Sequence, residues 1–166
     1  MSTQSALDSD PSRTTPIGLC RYACEFMEAA LAADEKMGHK KKGSEIIASI
    51  PVMFLVGQSI ELVLKSFLLS RDVPLRKLRN DYGHNLHRSL RKARELGLFE
   101  LVVLTDEELN TIELLDHLYS SKQLQYIVTG SKLFPVFGPL QRVALRLLQA
   151  IGPEIGFPLK RLPRVL

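Results

Sequence analysis

"IIASIPVMFLVGQSIELVLKSFLL", residues 46–69, is a nearly uninterrupted apolar stretch. Its length equals what a helix needs to cross a bilayer. Four residues argue against that use: Pro51, Gln58, Glu61 and Lys65 break the run. Two ionised groups near its middle would be costly in hydrocarbon. A helix apolar on most sides is also what the centre of a helical bundle requires. The stretch therefore predicts a buried central helix, with no membrane span and a cytoplasmic location. Ser44 is its expected N-cap, Glu45 lies in the favoured first turn, and Pro51 is expected to kink the start. Glu61 and Lys65 form an i,i+4 pair with the acid on the N-terminal side, the better orientation. Two readings apply to the pair: a surface salt bridge on the helix's wet stripe, or the polar edge of a binding groove.

The apolar spacing on either side agrees with helices. Before the central segment, Leu19, Ala23, Phe26, Ala30, Ala33 and Met37 recur at helical intervals after Pro16, and "GHKKKG" (38–43) ends the pattern. His39, inside that lysine run, reads as solvated. After the central segment, "SRDVPLRKLRNDYG" (70–83) has room for at most one short helical turn between Pro74 and Gly83. His84 or Asn85 then starts a helix with Leu86, Leu90 and Ala93 inward and Arg88, Arg91, Lys92 and Arg94 outward. "FELVVL" (99–104) reads as helix or packed loop, because no second strand exists to pair with it. "TDEE" is a capping box from Thr105 to Glu108. It opens a helix with Leu109, Ile112, Leu115 and Tyr119 on one face. Residues 121–138 read as irregular. Pro139 suits the first turn of a last helix in which Leu140, Val143, Ala144, Leu147 and Ile151 face in, and Arg142, Arg146 and Gln149 face out.

The sum is an all-α, four- to five-helix bundle over residues 16–152. A polar lead, 1–15, precedes it and is expected to be disordered. It lacks the apolar core of a signal peptide. A basic, proline-containing tail, 153–166, is expected to be irregular. With 166 residues, 45% hydrophobic and 24% charged, one domain with a single core is the natural expectation. Cys20 and Cys24 are four apart on one helical face, which suits two small buried hydrophobes better than a disulfide.

The net charge of +4 is modest, but it is not spread evenly. Residues 76–94 hold seven Lys or Arg and one acid, Asp81, a local charge of +6. The remainder of the chain is therefore net negative. Such a concentration suits an anion-binding face, and phosphate contact in particular. Tyr82 is the single aromatic residue there, so stacking on bases is weakly indicated. The candidate binding residues are Glu61, Lys65, Arg76, Lys77, Asn80, Tyr82, His87, Arg88, Arg91 and Lys92. His84 and His87 are three apart, and Asp81 lies three before His84. The positive surroundings oppose a cation there, and Asp116 with His117 sits on another helix, so neither a metal nor another cofactor is expected. Phosphate-cradling glycine loops and the nucleophile elbow are absent from the sequence.

The stretch "VGQSIELVLKSFLLSRDVPLRKLRNDYGHNLHRSLRKARELGL" (56–98), with the later "LQYIVTG" (124–130), resembles the HEPN superfamily of small prokaryotic helical proteins. The resemblance covers roughly residues 44–150. It implies a four- to five-helix bundle, usually dimeric. Many HEPN domains are metal-independent ribonucleases of toxin–antitoxin and defence systems, with an Arg followed four to six residues later by a His. Arg79, Asn80 and His84 match that pattern, so the resemblance implies Arg79 and His84 as catalytic residues. There the imidazole would move the proton of a 2′-hydroxyl, and the guanidinium would stabilise charge on phosphate. However, the motif falls between the second and third helices, where a second branch carries its "GH(D/N)L" helix start. That branch resembles partners of nucleotidyltransferases. The resemblance thus implies a module binding RNA, nucleotide or a partner protein (a nucleotidyltransferase or an antitoxin). The alternatives are an endoribonuclease, with Asn80 or Tyr82 positioning substrate, and a structural homodimer joined through the second helix and "LFPVF" (133–137).

Overall fold

A computed structural model of the chain describes residues 13–37, 48–159 and 162–163. At its centre lies α2 (Ile50–Ser70), packed by α1 (Pro16–Met37) along its length. The connection after α2 forms the short turn α3 (Leu75–Lys77), which runs directly into a π-helical turn, Leu78–Tyr82. Then follow α4 (Leu86–Glu95), the single turn α5 (Leu98–Leu101), α6 (Asp106–Ser120) and α7 (Phe137–Glu154). Helices α4, α6 and α7 all pack on α2. The described residues form an all-α bundle of five long helices and two short ones, with no strand.

The apolar character of α2 has a packing explanation. Twelve of its residues are buried, among them Val52, Val56, Ile60, Leu64 and Phe67. By length and composition alone the helix could cross a membrane, yet 67% of its most apolar window is covered by the rest of the bundle. Leu55, Leu62 and Leu69 remain half-exposed on its outer stripe. Two serines on α2 tie it to α1: Ser59 donates to the Ala23 carbonyl at 2.7 Å and Ser66 to that of Pro16 at 2.8 Å. Both hydroxyls thereby satisfy the rule that buried polar groups need partners. Cys20 and Cys24 are free thiols in the same α1–α2 core. The hydrogen bond to Cys24 and burial both push the Cys20 thiol up.

The start of α2 differs from expectation. Residues 48 and 49 are non-helical, and Ser49 stands in the cap position without a side-chain cap bond. Ser44 and Glu45 lie outside the described residues, as does His39. Pro51 falls within the first turn, where a missing N–H costs nothing, so it starts the helix instead of kinking it. The connection 70–83 also holds more helix than a proline and a glycine suggested. Pro74 precedes α3 in an extended conformation and accepts from Lys77 and Leu78, and Leu78 is buried as an anchor beneath the turn. Gly83 ends it with φ +48°, a backbone region that side-chain-bearing residues enter at a cost.

Elsewhere the local signals predict the elements well. The capping box is present: Thr105 Oγ1 accepts from the Glu108 N–H, and Glu108 Oε2 accepts from the Thr105 N–H. Ile112, Leu115 and Tyr119 of α6 are buried, as are Leu140, Val143, Ala144, Leu147 and Ile151 of α7. α7 begins at Phe137, two residues before Pro139, and continues to Glu154. Arg146 is not simply outward. Its guanidinium reaches the buried Glu108 carboxylate at 3.2 Å and so joins α7 to the start of α6. Arg71 and Glu154, 2.6 Å apart, join the end of α2 to the end of α7. Of "LFPVF", Leu133 is exposed, Pro135 is buried, and Phe134 and Phe137 pack against the core.

Candidate functional site

Glu61 sits at mid-α2 and is 5% exposed. An ionised carboxylate there needs a full complement of donors. Three side chains from three parts of the chain supply them. Lys65, one turn on, donates to Oε1 at 2.6 Å. Tyr119, from α6, donates its hydroxyl to Oε2 at 2.6 Å. His84, at the end of the connection, places Nδ1 3.0 Å from the same oxygen. The pair Glu61–Lys65 is therefore not a wet surface bridge: the two side chains are 6% and 14% exposed and belong to a buried network. The helices around α2 cover a stripe that local spacing alone leaves open to water.

The network sets the state of its members. Burial, reinforced by the neighbouring carboxylate, pushes the Tyr119 phenol well up, so it stays a donor at ordinary pH. With Glu61 accepting, the proton of the neutral His84 ring belongs on Nδ1, and Nε2 is left free. The ring is half-exposed and meets Tyr119 edge-on, centroids 6.1 Å apart. A carboxylate behind an imidazole is the arrangement that orients a general acid or base.

Space for the Tyr119 ring comes from Gly57, one turn before Glu61. A Cβ at that position would lie 2.5 Å from Tyr119 Cδ2. Phe54 also packs near the ring, at 6.0 Å between centroids.

His84 is followed by Asn85, which caps α4: its side chain accepts from the Arg88 N–H at 2.6 Å. Asp116 of α6 caps the same end from across the bundle, accepting from the Leu86 N–H at 2.7 Å. Burial raises the Asp116 carboxyl above the usual range, while the Leu86 and His87 N–H groups and the nearby His87 and His117 pull it back. Two acceptors thus hold the start of α4 in register with His84.

The predicted anion-binding residues divide into two groups. Arg76, Lys77, Arg79 and Asn80 are exposed along α3 and the π-turn. Arg88, Arg91 and Lys92 line a cleft of about 260 Å³ with Asp81, Tyr82 and Glu95. The Arg88 guanidinium donates to the Asp81 carbonyl at 2.7 Å, which fastens α4 to the π-turn. Lys92 is paired with Glu95 at 2.9 Å. Among the described residues, no acid lies within ion-pair distance of Arg76, Lys77, Arg79, Arg88 or Arg91. Tyr82 is half-buried against the core. His87 turns away from His84 and lines a different cleft, of about 840 Å³, with His117 and Asp116. Among the described residues no group of three or more metal-ligating side chains converges.

Tyr119 and Asp116 are the partners of Glu61 and of the α4 start that spacing did not pick out in these roles. Tyr119 reads as one apolar-face residue among four, and nothing local shows that its hydroxyl meets Glu61. No protein-family profile, curated protein or solved structure matches the chain.

Proposed function

We propose that the protein is a HEPN-like helical module that binds RNA through the surface formed by α3, the π-turn and α4. The observation that carries this reading is the group Arg76, Lys77, Arg79, Arg88 and Arg91: all five are exposed, on adjoining elements that the Arg88–Asp81 bond ties together, and have no carboxylate partners among the described residues. Unneutralised cations held on a rigid edge are suited to phosphate oxygens, and they release counterions when they bind them. The Glu61 network serves this surface by holding His84, and with it the junction between the π-turn and α4. A toxin–antitoxin or defence context follows from the family resemblance.

The test is RNA binding across a salt series. Affinity for single-stranded RNA falls steeply with salt. Replacing Arg76, Lys77 and Arg79 by serine lowers the logarithmic salt slope by about 2, at roughly 0.7 per lost phosphate contact. An absence of salt-sensitive RNA binding overturns the proposal.

A second reading is favoured by one feature, the carboxylate behind His84. In it the protein is a metal-independent endoribonuclease. Glu61 holds the His84 ring with Nε2 free, His84 moves the proton of the 2′-hydroxyl, and Arg79 stabilises the phosphate charge. RNA cleavage that survives chelator and disappears in His84→Ala supports it. Cleavage unchanged in that variant sinks it.

A further inference from the structure

The connection between α6 and α7 displays apolar side chains that neither the basic surface nor the Glu61 network uses. Tyr126 and Leu133 are 66% and 77% exposed, Ile127 is fully exposed, and Val128 is half-exposed. Single exposed hydrophobics are ordinary on a protein surface, but four within eight consecutive residues are a concentration that points to a contact. The exposure is built into the fold. Leu124 is buried on one side of the segment; on the other, Phe134 packs against the core and Pro135 is buried. The chain is tied down at both ends, and residues 125–133 run between the two anchors, all but Lys132 exposed.

The charge along this part of the chain has one sign. From His117 to Pro153 there is no Asp or Glu, while Lys122, Lys132, Arg142 and Arg146 are present. The two arginines are taken up by Glu107 and Glu108. The two lysines flank the apolar residues: Lys122 lies four before Tyr126, and Lys132 lies next to Leu133. Lys132 shares the 840 Å³ cleft with Glu113 and Asp116. Among the described residues neither lysine has an acid within ion-pair distance.

We infer that this segment docks the protein on the surface of an anionic lipid bilayer, with Ile127, Val128 and Leu133 entering the headgroup boundary and Lys122 and Lys132 meeting the anionic headgroups. A stable protein interface takes about 20–30 residues a side, and residues 125–133 supply nine. A lipid surface asks for less: a few apolar side chains, an aromatic ring at headgroup level and nearby cations. Tyr126 supplies the ring, and the lysine stems can lie along the apolar residues with their ammonium groups in water. The segment is in neither helix nor strand, so its backbone cannot enter hydrocarbon without losing hydrogen bonds. Only side chains go in, which makes this contact with one face of a bilayer and not a span.

The experiment is sedimentation of the full chain with vesicles of phosphatidylcholine alone and of equal parts phosphatidylcholine and phosphatidylserine. The expected result is binding to the anionic vesicles that weakens with salt, and binding at least about tenfold weaker to phosphatidylcholine alone. Ile127→Asp lowers affinity for anionic vesicles at least about tenfold. Because the Ile127 side chain is fully exposed, the variant keeps its helical circular dichroism and its melting temperature. Lys122→Ser and Lys132→Ser each lower affinity about fivefold. The triple variant Arg76→Ser, Lys77→Ser, Arg79→Ser binds anionic vesicles more tightly than Ile127→Asp does, and Ile127→Asp leaves RNA binding unchanged, so failure here and failure of the RNA surface are told apart. Absent vesicle binding, equal binding to both vesicles, or full affinity in Ile127→Asp overturns the proposal. So does vesicle binding that is lost in the triple variant and kept in Ile127→Asp. Self-association without lipid that Ile127→Asp abolishes assigns the segment to a second copy of the chain and likewise overturns it.

Discussion

The Tyr119 hydroxyl donates to the Glu61 carboxylate at 2.6 Å, a buried bond between residues 58 apart in the chain. It joins the central helix to α6, and its acceptor oxygen is the one that also receives His84. Removing the hydroxyl leaves a buried carboxylate one donor short. Tyr119→Phe is expected to lose about 1.5–3 kcal/mol, the range for a hydrogen bond to a charged group. Urea unfolding measures this, and a loss within error of zero would show that the bond adds nothing.

Glu61→Ala is expected to cost more, about 3–5 kcal/mol, because it strands the Lys65 ammonium in a position that is 14% exposed. In Glu61→Ala, the further change Tyr119→Phe is expected to cost little, since its acceptor is gone. A double-mutant cycle reads that coupling directly, and additive effects would contradict the shared network.

Gly57→Ala separates two opposed effects. Within a helix, alanine is ordinarily better than glycine by about 1 kcal/mol. Here the new methyl would meet the Tyr119 ring at 2.5 and 2.8 Å, and the ring is tethered through its hydroxyl. Overpacking is expected to win, for a net loss of about 1–3 kcal/mol. A thermal melt decides the sign, and stabilisation would mean that the ring moves freely.

Asp116 predicts a pH dependence. Burial holds its carboxyl above the ordinary aspartate value, and the Leu86 and His87 N–H groups only partly offset this. The folded chain therefore binds this proton more tightly than the unfolded chain does. The resulting stabilisation is fully present below the ordinary value, about 3.9, and is lost as pH rises through the raised one. Asp116→Asn keeps an oxygen for the Leu86 N–H and cannot ionise. Relative to the parent, the variant is expected to gain stability as pH rises from about 3 to about 7. Unfolding curves at several pH values measure the difference, and a flat or falling difference would refute it.

The α6 cap offers a further test. Thr105→Ala removes one acceptor of a reciprocal capping box and is expected to cost about 1 kcal/mol. Wild-type stability in that variant would show that Glu108, held by Arg146, caps the helix alone.

The helices were legible because their signals are local. Leu140, Val143, Ala144, Leu147 and Ile151 repeat at the helical period, and burial of one face is what that period records. The Thr105–Glu108 cap was legible for the same reason: both partners lie within one turn. The π-turn at Leu78–Tyr82 was not, since its shape depends on Leu78 finding the core and on Arg88 reaching the Asp81 carbonyl.

The sequence by itself determined the all-helical class, the central place of α2, and the concentration of positive charge between Arg76 and Arg94. These follow from apolar periodicity, capping chemistry and charge counting along the chain. Only the tertiary structure decided that Glu61 and Lys65 are buried, that His84 belongs with Tyr119, and that His87 and His117 line a different cleft. Burial and long-range hydrogen bonding depend on which helices pack together, and the packing of α2 against α4 and α6 is written in no single local segment.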